Sequence, residues 1–157
     1  MSGKFAYDED FYAWTQEQAD LLRQVARERI STPIDWELVA EEIESVGRSD
    51  ARALNSALMR VIEHLLKLEY SPARDPRPNW RTSVTNHRIE AEEEIETSPS
   101  LRGRIDLVRI HRNALRLAAD GLAQDGVPAR VLPVECPYTL DQILDHGWWP
   151  ANRHGLD

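Results

Sequence analysis

The stretch Asp35–Tyr70, DWELVAEEIESVGRSDARALNSALMRVIEHLLKLEY, decides the fold. It is free of proline and apolar around more than half its circumference at helical spacing. Asp35 is placed as an N-cap, and Trp36, Val39, Ala40, Ile43 and Val46 form the first apolar face. Beyond Ser49, the residues Leu54, Ala57, Leu58, Val61, Leu65 and Leu68 make a second stripe. Met59, Ile62, Leu66 and Tyr70 broaden it, so this segment needs cover on at least two sides and is a central helix. Gly47 has two readings. It sits inside one long helix if the seven-residue recurrence Ala40, Gly47, Leu54, Val61, Leu68 governs. It marks a bend or short break, with Ser49 capping a new helix, if the cost of about 1 kcal/mol for an interior glycine governs, and that is the expectation adopted.

Outward from this stretch the pattern stays helical. Upstream, Asp8 or Asp10 caps a first helix that runs to about Arg29 on a stripe of Phe11, Trp14, Leu21, Leu22 and Val25. Ser31-Thr32-Pro33 breaks it. Downstream, Ser71-Pro72, Pro76 and Pro78 form a stiff connection to a helix from Asn79-Trp80 to Glu96. Ser98-Pro99 then starts a helix to about Leu122, with Leu101, Ile105, Val108, Leu115, Ala119 and Leu122 inward. Gly126, Pro128, Pro133 and Pro137 mark an irregular strap, and Thr139–Gln142 is a capping box for a short helix through about Leu144. His146-Gly147-Trp148-Trp149-Pro150 is expected to end the ordered chain, with the two tryptophans pinning the tail or meeting a partner. Strand alternation, internal repeats and low complexity are lacking. The prediction is an all-α, mostly antiparallel bundle of four to five main helices, closed by a C-terminal strap and short helix. It is one helical domain over residues 1–157, with an ordered core of about 5–150.

The bulk properties narrow the class. A chain of 157 residues buries about two thirds of its unfolded surface without disulfides. The single Cys136 has no internal partner, which fits a reducing compartment. Met1 to Asp10 is polar and acidic and lacks the apolar region of a signal peptide. No run approaches the roughly 18 apolar residues of a membrane span, so the expectation is a cytoplasmic protein. The net charge of −8 disfavours nucleic acid and anionic membranes. Arg102, Arg104, Arg109, Arg112 and Arg116 lie close together, and Glu90–Glu96 is glutamate-rich. These blocks read as solvated, mutually paired charge.

Several separated motifs occur in order: Tyr7-Asp8-Glu9-Asp10-Phe11-Tyr12-Ala13-Trp14, Asp35-Trp36 through Gly47-Arg48-Ser49, His64-Leu65-Leu66-Lys67, Trp80-Arg81, Ser98-Pro99-Ser100-Leu101 and Cys136-Pro137-Tyr138-Thr139. Together the set resembles domain of unknown function family 29, a bacterial family, over about residues 5 to 150. The resemblance implies an all-helical single domain. It implies no activity and carries over no catalytic or binding residue.

The residues themselves offer two constellations. Glu42 borders the apolar face beside Leu38, Val39 and Val46, and a carboxylate there needs a partner. Arg88, within the stripe Trp80, Val84, Ala91, Ile95, is the expected one. Glu44 stands four residues before Arg48, a favourable helix-surface pair. Glu42, Glu44, Arg88 and His64 therefore form the candidate polar cluster, read first as a salt bridge that fixes helix register and second as an acid, base or anion site. His64, His87 and His111 are the candidate metal ligands. Each lies at the margin of its helix's apolar stripe, and an up-and-down bundle puts them at similar heights. The expectation is nevertheless that they do not jointly bind a metal. Cys136 reads as a buried small residue rather than a nucleophile.

The reading preferred from sequence is a non-enzymatic helical module that binds a protein partner or itself. The competing reading is a metal-dependent hydrolase or transferase using the histidines, with a divalent metal as its cofactor. A weaker third is nucleic-acid binding along the arginines of the fifth helix.

Overall fold

The computed structural model describes residues 3–28 and 31–157, and no strand occurs among them. Four long helices carry the chain: α1 (Phe11–Arg27), α2 (Trp36–Tyr70), α3 (Arg77–Thr97) and α4 (Leu107–Gln124). A 3-10 turn, Pro99–Arg104, lies between α3 and α4, and a short α5 (Leu140–Leu144) follows the strap. The chain is all-α, as expected. It divides into two compact units, residues 1–54 with 93–105, and residues 55–92 with 106–157.

In the first unit, Asp10 caps α1. Its Oδ1 accepts from the Ala13 amide at 2.9 Å, the geometry that satisfies a first-turn N–H. The same carboxylate accepts from the Ser100 amide at 2.7 Å and the Ser100 hydroxyl at 2.9 Å. Ser98 Oγ in turn accepts from the Tyr12 amide at 2.9 Å. The start of α1 and the 3-10 turn thus cap each other. The predicted end at Arg29 lies outside the described residues; the described helix ends at Arg27. Its buried line is Tyr12, Thr15 and Ala19 rather than the predicted stripe, in which Leu21 is exposed and Phe11, Trp14, Leu22 and Val25 are half-buried.

The expected break at Gly47 is not there. α2 runs through it for 35 residues, roughly 50 Å. The reason is packing. A Cβ at position 47 would stand 2.2 Å from Thr15 Oγ1, so glycine is what lets α1 approach. Close approach selects the small-residue line, and Ala40 and Gly47 are buried while Val39 and Val46 of the predicted face are exposed.

In the second unit the prediction holds for the core. Leu58, Val61, Ile62, Leu65 and Leu66 are all fully buried. Arg77 Nη1 donates to the Leu68 carbonyl, and Ser83 Oγ lies near His64 Nδ1, so α3 runs antiparallel to this part of α2. The single helix predicted from Ser98 to Leu122 is instead two elements. Ile105 leaves the 3-10 turn extended, and Asp106 starts α4 by accepting from the Arg109 amide at 3.1 Å. The phase changes there. Ile110, His111, Ala114, Ala118 and Leu122 are buried, whereas Val108, predicted inward, is 71 % exposed.

The capping box of α5 forms with both hydrogen bonds, Gln142 amide to Thr139 Oγ1 at 3.2 Å and Thr139 amide to Gln142 Oε1 at 3.0 Å. The expected end of order at Pro150 is overturned. Residues 152–154 cap the C-terminus of α2, where the last carbonyls have no helical partner. Asn152 Nδ2 donates to Leu68 O at 2.8 Å and Ser71 O at 2.9 Å. The Arg153 amide donates to Glu69 O at 2.8 Å, and His154 Nε2 to Tyr70 O at 3.0 Å. Asp157 pairs with Arg77.

Candidate functional site

The predicted polar cluster is dispersed. Glu42 is exposed and makes no ion pair among the described residues. Glu44 does pair with Arg48 as expected, at 3.0 Å, and more closely with Arg23, at 2.6 Å. Arg88 is fully buried, but its partners are carbonyls: Nε donates to Ile143 O at 2.8 Å, and Nη2 to Gln142 O at 3.1 Å and Trp148 O at 3.0 Å. The expected Glu42–Arg88 bridge is therefore replaced by a guanidinium that caps the end of α5, using the fork geometry only arginine supplies. Trp149 lies against two guanidinium groups, Arg81 at 4.6 Å and Arg88 at 4.9 Å from its ring centre. Trp148 packs edge-on to Tyr138. Trp148-Trp149 thus pins the tail.

His64 sits in a different polar group, which the sequence reading missed. Glu63 is buried on α2, with Arg60 Nη1 at 2.9 Å and Lys67 Nζ at 3.2 Å. Burial alone would raise its pKa; the hydrogen bonds from Arg60 and Lys67, with the positive charge that His64 takes on at acid pH, outweigh burial and hold the carboxyl below its usual range. Its i−3 and i+4 cationic neighbours were the available signal. His64 Nδ1 donates to Arg60 O at 2.8 Å, and burial lowers its pKa, so the ring is neutral at pH 7. His87 Nδ1 likewise donates to Ser83 O at 2.7 Å. Ser83 Oγ lies between the two rings, 3.4 Å from His64 Nδ1 and 3.3 Å from His87 Nδ1. Both Nδ1 atoms are thereby committed to protein partners.

His111 does not join them. It lines a separate cavity of about 630 Å³ with Leu107, Val108, Arg112, Leu115, Val134, Glu135 and Cys136. Among the described residues, no group of three or more His, Cys, Asp or Glu side chains is arranged to hold a metal ion. The ring is 2 % exposed and its Nε2 is sealed without a hydrogen-bond partner. Such a group ordinarily costs about 1–3 kcal/mol. Burial lowers the His111 pKa, which leaves the imidazole neutral. Cys136 is half-buried; its Sγ donates to Tyr138 O at 3.4 Å, and burial pushes the thiol pKa up. That environment favours a thiol over a nucleophilic thiolate.

The predicted basic run is split. Arg102 and Arg104 lie in the 3-10 turn, with Arg104 stacked 5.0 Å over Tyr12, while Arg109, Arg112 and Arg116 are exposed on α4.

On α2 the overturned phase leaves a distinct surface. Leu38 and Val46 are about half exposed, and Val39 somewhat less. Glu42 and Ser45 lie between them, with Glu41 beside them and Arg48 and Arg52 further along the helix, all exposed.

The model of a domain of unknown function, DUF29, matches residues 6–149. The chain belongs to this family. The crystal structure of an α-helical protein of unknown function from Rhodospirillum rubrum is similar to it, with a TM-score of 0.81, 31 % identity and 91 % of each chain covered. No curated protein matches the chain. Neither the family nor the solved structure carries a stated function, so neither gives the cavity or the α2 surface a role. Among the described residues no helix is long and apolar enough to cross a membrane.

Proposed function

We propose that the protein is a non-enzymatic interaction module that self-associates through the outer face of the first half of α2. The observation that carries this reading is the exposure of Leu38, Val39 and Val46 on an uninterrupted helix. A helix stripe left in water is a contact surface awaiting cover. The charges beside it choose the occupant. Glu41 and Glu42 lie towards the N-terminus of the stripe and Arg52 towards the C-terminus, and none makes an ion pair among the described residues. In an antiparallel pair centred near Val46, Glu41 of one copy faces Arg52 of the other, and the valines meet at the two-fold axis. An isologous contact of this kind is the commonest way in which identical chains pair. Complementary end charges set its direction.

Sedimentation velocity over a range of concentrations tests the reading. The expected result is a reversible dimer that Val46→Arg converts to monomer without loss of helicity. A wild-type chain that stays monomeric at every concentration contradicts it, and so does a dimer indifferent to Val46→Arg.

A further inference from the structure

We propose that the cavity between α4 and the strap at Val134–Cys136 binds an uncharged, mainly apolar small molecule carrying a hydroxyl group, which hydrogen-bonds the buried imidazole of His111. This site is independent of the α2 surface. One face of α4 builds one wall. Leu107, His111 and Leu115 recur every four residues, with Val108 and Arg112 beside them, so all five project to one side. Val134, Glu135 and Cys136 build the other. At about 630 Å³ the space lies within the roughly 300–1,000 Å³ of small-molecule sites, and such sites combine apolar walls with a few placed polar groups.

His111 is the group that points to a ligand. His64 and His87 each donate from Nδ1 to the carbonyl four residues back. His111 makes no such bond: its Nε2 is sealed without a hydrogen-bond partner, and its Nδ1, which is not sealed, makes no hydrogen bond among the described residues. Nδ1 is therefore the nitrogen left to a ligand; in the neutral imidazole it is either a donor or an acceptor, and a hydroxyl can answer it in either tautomer. The rest of the lining argues for an uncharged occupant. Arg112 and Glu135 are both exposed and opposite in sign, so the site presents no net charge to an ion. The Cys136 thiol is held protonated, so the cavity is suited to binding rather than to attack on an electrophile. Val108 and Val134 are strongly exposed walls that an occupant would cover.

Cys136 is the only cysteine, so its alkylation by iodoacetamide reports on the cavity. The probes are 4-ethylphenol and its hydroxyl-free match, ethylbenzene, titrated against the full chain. 4-Ethylphenol is expected to slow alkylation saturably and to bind about tenfold more tightly than ethylbenzene, the worth of one net hydrogen bond. In His111→Phe the two probes should bind within about twofold of each other, since the hydrogen bond is what separates them. His111→Gln, which keeps a donor and an acceptor, should retain part of the preference. Leu115→Trp fills the space and should abolish protection by both probes while the chain remains helical. The proposal is overturned by unsaturable or absent protection in the wild type. It is equally overturned by an undiminished preference in a folded His111→Phe, or by protection that survives Leu115→Trp.

Discussion

Gly47→Ala sets two effects of known sign against each other. In an isolated helix the change stabilises by about 1 kcal/mol, because glycine forfeits backbone entropy on folding. Here the new Cβ would lie 2.2 Å from Thr15 Oγ1 and 3.3 Å from Thr15 Cβ. An ordinary contact requires Oγ1 to retreat by about 1 Å, and packed interiors do not yield that freely. Thr15 is fully buried, and its hydroxyl donates to Tyr12 O at 2.7 Å, so it has little room to turn. Overpacking of this kind costs about 1–3 kcal/mol, and loss of the hydroxyl's bond adds about 1. The net expectation is a destabilisation of about 1–3 kcal/mol. Thr15→Ala removes the offending oxygen, so in that background Gly47→Ala should be neutral or stabilising by up to about 1 kcal/mol. The resulting coupling of about 1–4 kcal/mol is measurable by urea unfolding followed by far-UV circular dichroism. If Gly47→Ala stabilises the wild type by its full propensity gain, α1 does not cross α2 at this point and the reasoning fails.

Three further outcomes are expected. Leu65→Ala removes a fully buried side chain from the centre of the second unit and should cost about 2–5 kcal/mol in the same assay; a loss under about 1 would make that helix peripheral. Arg88→Met keeps bulk but leaves the carbonyls of Gln142, Ile143 and Trp148 without their donor. A loss of about 2–4 kcal/mol, with earlier proteolysis near α5, is expected, and unchanged stability would remove Arg88 from the account. His111 and His64 have pKa values lowered by burial, so the unfolded chain binds more protons than the folded one just below the ordinary histidine value of about 6.5. Stability should therefore fall as pH drops from about 6.5 towards the lowered folded values, by at most about 1.4 kcal/mol per pH unit for each ring. Urea unfolding between neutral and mildly acidic pH should show His111→Phe with a visibly shallower decline, and an equally steep one would contradict the buried neutral ring.

The second half of α2 was legible because its periodicity, proline-free length and leucine content all agree, and agreement across levels is what makes a pattern trustworthy. The first half was legible as helix but not in phase. Hydrophobicity ranks Val39 and Val46 above Ala40 and Gly47, yet the contact with Thr15 is set by how closely two backbones come, which rewards the smallest side chains. The restart at Asp106 had a readable signal, an aspartate able to cap its own third residue, that a continuous apolar pattern from Leu101 to Leu122 obscured. The partners of Arg88 had none. They are backbone carbonyls more than fifty residues away, and no side-chain pattern announces a carbonyl. The same holds for Asn152, whose two acceptors lie at the end of α2. Of the histidine trio, the helix registers brought His64 and His87 to one serine. The phase change at the start of α4 accompanies His111 lining another cavity. Exposure of the α2 stripe was not foreseen, because the predicted face was assigned to the core.

The most direct test of self-association is a charge-reversal cycle read by sedimentation equilibrium. Glu41→Arg and Arg52→Glu should each weaken the dimer, because each sets like charges against each other across the antiparallel pair. The double variant Glu41→Arg, Arg52→Glu should recover most of the wild-type association. Recovery requires that position 41 of one copy meet position 52 of another. Weakening by both single changes without recovery in the double variant, or no effect of either, contradicts the pairing and with it the proposed function.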